Sequence, residues 1–197
     1  MGAYAPASVV TKQMLNEISV KIIAPTLQAL IAQSKPFIGC LYAGLILTSD
    51  GVKVIEFNCR FGDPETQAVL PLLKGDFLKL LYSAAEGKLD INSVSYNGGS
   101  AVCVVAASLG YPGQYQNGLE IFGLDEIPEN TIVFHAGTKE DNGKIVTNGG
   151  RVLGITSVLE ENDLQKAKNL AYEALGKIHF SNMYYRRDIA DKAIKQF

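Results

Sequence analysis

Residues 39–48 and 53–60 are two apolar-rich, strand-like runs, and only a short turn around Ser49-Asp50-Gly51 lies between them. Parallel neighbours need a crossover of a dozen or more residues, so these runs can pair only as an antiparallel hairpin. Side chains alternate faces along a strand. Ile55, Phe57 and Cys59 therefore share one face of the second strand, and Glu56, Asn58 and Arg60 share the other. The second face sets a carboxylate, a carboxamide and a guanidinium in a row. Glu56 and Asn58 are hard oxygen donors of the kind Mg²⁺ accepts. Arg60 is a planar donor fork suited to phosphate or carboxylate. A half-exposed strand with a solvated face accounts for the same residue types.

The flanks add helices. Residues 11–34 place Met14, Leu15, Ile18, Ile22, Leu27, Leu30 and Ile31 at three- and four-residue steps, with Pro25 set to kink or split the helix. The first residues, MGAYAPAS, read as loop. Asp63-Pro64-Glu65 reads as a helix start, with Asp63 as cap and Glu65 as first-turn acid, which by itself explains both carboxylates. A further helix runs from its cap Asp76 to Glu86 and stops at Gly87. Residues 90–99 are polar and turn-rich, and a domain boundary is placed there. Beyond it the pattern becomes β: strands over 101–108, 131–138, 144–147 and 151–158, with Asn142-Gly143 as a type I′ hairpin signal. Asn162 caps a helix to about Ile178, and a short helix ends the chain. The fold class is α+β in two parts, 1–90 and 91–197.

Composition narrows the function. Hydrophobic residues make up 47% of the 197 and charged residues 19%, a globular balance. Lys plus Arg number 18 against 20 Asp plus Glu, for a net charge of -2, so no basic excess favours nucleic acid. Cys40, Cys59 and Cys103 are an odd number without metal-ligand spacing, which suggests buried thiols in a reducing compartment. The apolar stretch 37–47 is too short to span a bilayer and the N-terminus lacks a signal-peptide pattern. A cytoplasmic protein without a membrane partner is expected. His135 reads as a hydrogen-bonded structural residue and His179 as a helix-end residue. Gly98-Gly99 and Gly149-Gly150 read as turns, Arg186 and Arg187 as a solvated tail, and Tyr42 as core.

The run GCLYAGLILTSDGVKVIEFNCRFGDPETQAVLPLLKGD resembles the C-terminal half of the ATP-grasp module in the phosphoribosylamine–glycine ligase (glycinamide ribonucleotide synthetase) family. RFGDPETQ is the specific part, since E-x-N-x-R is shared across ATP-grasp enzymes. MGAYAPA, ASLGYPGQYQNG, FHAGT, NGKIVTNGGRVLGIT and YYRRDIA extend the resemblance over essentially the whole chain. It implies a half ATP-grasp unit over 1–90. A small, mostly antiparallel β domain with one long helix, of rudimentary hybrid type, follows over 91–197.

The resemblance also implies an activity. ATP phosphorylates glycine to glycyl phosphate, and 5-phosphoribosylamine attacks it to give glycinamide ribonucleotide, ADP and phosphate, a step of purine biosynthesis. Glu56 and Asn58 match the ligands of the Mg²⁺ or Mn²⁺ that bridges the ATP phosphates. Arg60, with those two, belongs to the cofactor-binding set and would place positive charge near the acyl phosphate. Asp63 would hold the glycine ammonium, and Glu65 completes the catalytic candidates Arg60, Asp63 and Glu65. Family members extend further on the N-terminal side, and the chain has no Walker-type phosphate loop. The expectation is a fragment, or a split-gene subunit, inactive without the missing N-terminal half and its nucleotide-gripping lobe. The competing readings are another ATP-grasp ligase or carboxylase and a catalytically silent interaction domain, which an exposed apolar patch would support.

Overall fold

The computed structural model describes residues 1–96 and 98–194. The elements run β1 (Gly2–Ala5), α1 (Lys12–Ile18), a π-helical turn (Ser19–Ile23), α2 (Ala24–Ala32), β2 (Tyr42–Thr48) and β3 (Gly51–Asn58). Next come α3 (Glu65–Val69), β4 (Leu73–Gly75), α4 (Phe77–Ala85), β5 (Val94–Tyr96), β6 (Ser100–Ser108), β7 (Thr131–His135), β8 (Thr138–Asp141) and β9 (Lys144–Thr147). The chain continues with β10 (Arg151–Leu159), α5 (Leu164–Lys177), β11 (Met183–Tyr184) and α6 (Asp191–Ile194). The mixture is α+β, as expected. The turn-rich stretch and the last helix expected from sequence include Asn97 and residues 195–197, which lie outside the described residues.

Two compact units form. One comprises Met1–Pro6, Asp63–Leu73 and Tyr96–Phe197, the other Ala7–Gly62 and Lys74–Ser95. Spatial packing thus cuts the chain several times, where the sequence reading placed one boundary near residue 90.

The first unit is built on an antiparallel sheet of order β1-β6-β10-β7. All nine residues of β6 are buried because both faces are covered. Val102, Val104 and Ala106 face the layer containing Ala167, Ala171, Ala174 and Leu175 of α5. Ala101 and Cys103 face Ala68 and Leu72, on and just after α3. The edge of β6 away from β10 is shared end to end: β1 pairs with Ala101 to Val104, and β11 with Ala107 and Ser108. The predicted loop at the start of the chain is therefore a strand. Its small side chains carry little strand signal, and a partner about 100 residues away supplies the pairing. Asp163, not Asn162, caps α5, accepting from the Lys166 N–H at 2.9 Å. The predicted strand 131–138 is divided into β7 and β8. The β8–β9 hairpin turns at Asn142 (φ 50°) and Gly143 (φ 77°), the left-handed pair a type I′ turn requires.

The second unit holds the helical segment Lys12–Ala32 and the β2–β3 ribbon. Thr11 caps the helix through the Met14 N–H at 3.2 Å. Pro25 has no N–H to donate, and the turn just before it loosens, with the Ala24 N–H reaching back five residues to the Ser19 carbonyl. Among the described residues this 21-residue helix has the length and apolar content to cross a membrane, mean hydropathy 1.2, with none of its residues buried. Helical continuity supplies a length that no single apolar run in the sequence has. α4 starts on Asp76, which accepts from the Lys79 N–H at 2.8 Å. It ends before Gly87 (φ 71°), as the sequence indicates.

Among the described residues of this unit, no large aliphatic or aromatic side chain is fully buried. Leu15, Ile31, Ile55, Leu78 and Tyr82 are all exposed, Leu78 at 76%. Ile55, Phe57 and Cys59, expected from the sequence to share an apolar face, are all exposed, because a two-stranded ribbon cannot cover its own faces.

Candidate functional site

β3 carries the first group of candidates. Asn58 Nδ2 donates to Glu56 Oε1 at 3.1 Å, so the carboxylate and carboxamide lie side by side. Across the ribbon Glu56 pairs with Gly44 and Asn58 with Tyr42. A Cβ at position 44 would stand 3.0 Å from Glu56 Cγ, so the missing side chain there is what lets Glu56 lie across the neighbouring strand. The register slips between Gly44 and Leu45, where Ile55 is the extra residue of a bulge just before Glu56. Glu56 is exposed and Asn58 half-buried. The donor set fits a hard divalent cation: one carboxylate, plus one carboxamide whose nitrogen is committed to Glu56 and whose oxygen is the donor it offers. Mg²⁺ accepts such a two-residue set because it keeps several waters.

Arg60 lies beyond the end of β3, not in line with the pair. Its Nη1 donates to the Phe61 carbonyl at 2.8 Å, and the side chain is exposed.

Asp63 and Glu65 belong to the other compact unit, so the RFGDPETQ motif is divided between Gly62 and Asp63. Asp63 does not cap α3, because the cap position is Pro64, with no side-chain bond. The Asp63 carboxylate is engaged elsewhere. Oδ1 accepts from Gln67 Nε2 at 2.9 Å, and Oδ2 pairs with Arg151 Nη2 at 3.0 Å. Arg151 Nη1 also donates to the Asp63 carbonyl at 3.0 Å. Glu65 is the first-turn acid of α3, as expected. Arg151 has no local sequence signal that marks it as the partner of Asp63. No local pattern connects positions 88 apart, although the NGGR turn before it marks a built loop.

The remaining candidates are structural. His135 Nδ1 lies 3.0 Å from Thr138 Oγ1, and the His179 backbone pairs with Phe122. Arg186 is not a free tail residue: Nε donates to Asp188 Oδ1 at 2.8 Å, and this pairing holds the Asp188 carboxyl down at about 2. Of the three thiols expected to be buried, only Cys103 is. Burial pushes it up to about 11, whereas Cys59 is exposed and Cys40 half-buried.

The chain resembles known proteins along nearly its whole length. The family model "Phosphoribosylglycinamide synthetase, ATP-grasp (A) domain" matches residues 1–66, and "Phosphoribosylglycinamide synthetase, C domain" matches residues 101–192. The phosphoribosylamine–glycine ligase of Caldanaerobacter subterraneus is 50% identical over 96% of this chain and 45% of its own length. That of Synechocystis is 47% identical over 98% of this chain and 46% of its own length. A crystal structure of phosphoribosylamine–glycine ligase from Thermotoga maritima superposes with a TM-score of 0.81 at 34% identity, covering 96% of this chain and 46% of that one. The chain thus spans about half the length of these relatives. With matches to the A and C domains in the same order and identity along nearly its whole length, the chain belongs to the phosphoribosylglycinamide synthetase family.

Proposed function

We propose that the chain supplies part of an ATP-dependent carbon–nitrogen ligase that joins glycine to 5-phosphoribosylamine. The collinear match to adjoining domains of one synthetase carries this reading. In the proposed reaction the glycine carboxylate takes the γ-phosphoryl group of ATP, giving glycyl phosphate and ADP. The amine of 5-phosphoribosylamine then attacks the acyl carbon, the C–O bond to phosphate breaks, and a proton leaves the new amide nitrogen.

Glu56 and Asn58 would hold Mg²⁺ or Mn²⁺, and the bound ion supplies charge neutralisation on the phosphates. The Gly44 gap and the Asn58 amide keep the Glu56 carboxylate in one orientation. Arg60 would offer its guanidinium to a phosphate oxygen, exchanging its contact to the Phe61 carbonyl for a charge-assisted one. Asp63 already has a partner on each oxygen, which supports an anchoring part at the start of α3, shared with Glu65. The alternative, a contact to the glycine ammonium, would appear as a raised glycine KM in Asp63→Asn. Residues 1–90 would be the ATP-grasp portion and 91–197 the C-terminal domain. The setting would be the cytoplasm, with the other half of the relatives' length as partner.

The test is product formation by the chain together with a second polypeptide corresponding to the part of the Caldanaerobacter relative that it does not match. Glycine- and phosphoribosylamine-dependent phosphate release, lost in Glu56→Ala, supports the proposal. Turnover that ignores either substrate sinks it.

A further inference from the structure

We infer that Arg151 is a positioning residue for the proposed ligase reaction, locking the Asp63–Gln67 end of the RFGDPETQ motif in place from β10. The inference rests on the ligase reading above.

The backbone of β10 makes this possible. Arg151 stands opposite Ala107 of β6, whereas Leu153 stands opposite Ala106, so Val152 is an inserted residue in the ladder. An uninterrupted strand would turn Arg151 to the same face as Leu153 and Ile155, which pack in the α5-side core. One extra residue reverses that choice. Arg151 therefore shares the face of Ala107, on the side of the sheet where α3 packs, and its guanidinium meets Asp63. The insertion costs no core packing, because Val152 and Leu153 are both fully buried in the α5-side core.

The turn leading into Arg151 is fixed as well. The Ser108 N–H donates to the Gly150 carbonyl at 2.8 Å and Ser108 Oγ to the Gly149 carbonyl at 3.0 Å. A Cβ at Gly150 would lie 2.0 Å from Tyr111 Cδ2, so the ring of Tyr111 packs directly against that backbone. The Gly137 N–H donates to the Arg151 carbonyl at 2.8 Å.

Held this way, the guanidinium makes two contacts to one residue, the carboxylate and the carbonyl of Asp63. Gln67 reaches back from α3 to the other carboxylate oxygen. Side chain, main chain and the first turn of the helix are thereby tied together. A planar fork with fixed donor directions can do this; a hydrogen-bonding point charge satisfies only part of it.

The test uses the full chain with the complementing polypeptide described above, comparing wild type with Arg151→Met, Arg151→Lys, Asp63→Asn and the Asp63→Asn/Arg151→Met pair. Misplacement of a reacting geometry by about an ångström costs on the order of 100-fold. The expected result is a kcat roughly 10- to 100-fold lower in Arg151→Met, with KM for ATP and glycine within about twofold. Arg151→Lys should recover part of the loss, and the double variant should be no worse than the worse single one. Circular dichroism and melting of each variant separate folding from positioning, with Arg151→Lys carrying the comparison should Arg151→Met not fold. Unchanged kcat in Arg151→Met, or losses that multiply in the double variant, overturns the positioning role while leaving the ligase reading intact. A raised glycine KM confined to Asp63→Asn also overturns it, because Asp63 would then act on substrate without Arg151. An inactive wild-type assembly overturns both.

Discussion

Arg151 grips Asp63 twice, by its carboxylate and by its carbonyl, each at 3.0 Å across 88 positions of sequence. The carboxylate that looks like a helix cap in the sequence is instead a tertiary anchor. Both side chains remain partly solvated, Arg151 at 33% and Asp63 at 41%.

That exposure sets the scale of the pair's contribution to stability. A double-mutant cycle of Asp63→Asn and Arg151→Met, read by chemical denaturation, should give a coupling energy of about 1 kcal/mol, falling with salt. A coupling indistinguishable from zero at low salt would argue against a fixed bidentate contact.

Gly44→Ala should disturb the proposed metal-ligand pair, Glu56 and Asn58, without unfolding its strand. The new methyl would press on Glu56 Cγ at 3.0 Å. Mn²⁺ binding, followed by electron paramagnetic resonance, should weaken about tenfold, while the far-ultraviolet spectrum stays that of wild type.

Asp188 gives a pH signature. Its hydrogen bond from Arg186 lowers its folded pKa to about 2, below the ordinary 3.8. A depressed carboxylate adds stability above its unfolded pKa, and that stability is lost as pH falls through the folded value. The contribution should therefore be complete above roughly pH 4 and fade towards pH 2. In Arg186→Met the Asp188 carboxyl resonance should titrate at a higher pH than in wild type.

Thiol chemistry should separate the cysteines. Cys59 is exposed, while burial holds the Cys103 thiol protonated up to about 11. A disulfide reagent at pH 8 should modify Cys59 rapidly in native protein and Cys103 only after denaturation, and Cys59→Ser should abolish the fast phase.

Two leucines on amphipathic helices should behave oppositely. Leu175 is fully buried beneath the sheet, so Leu175→Ala should cost about 2–5 kcal/mol. Leu78 is 76% exposed, and Leu78→Ser should stay within about 0.5 kcal/mol.

That contrast marks what the sequence could reveal. Local rules work where the deciding contacts are local. Asp76 caps its helix, Asn142-Gly143 turns its hairpin, and Glu56 and Asn58 stand together because a strand repeats every two residues. The rules falter where a distant partner decides. Gly2–Ala5 pairs as a strand only because β6 offers it an edge. Asp63 leaves its cap for Arg151, which reaches it only through an extra residue in β10 that breaks the two-residue repeat. Periodicity predicts which side of a helix is apolar but not whether anything covers it. Lys12–Ala32 and α4 show the pattern without the burial.

The position of β1 has a consequence for how the protein is made. Gly2 pairs with Val104, so during vectorial synthesis β1 leaves the ribosome about a hundred residues before its partner β6 exists. A folding nucleus is instead available late, when β6, β10 and α5 have all emerged and can bury one another. Until then Gly2–Ala5 is a strand in waiting, and nascent-chain force or protection measurements should show its ordering only after α5 has emerged.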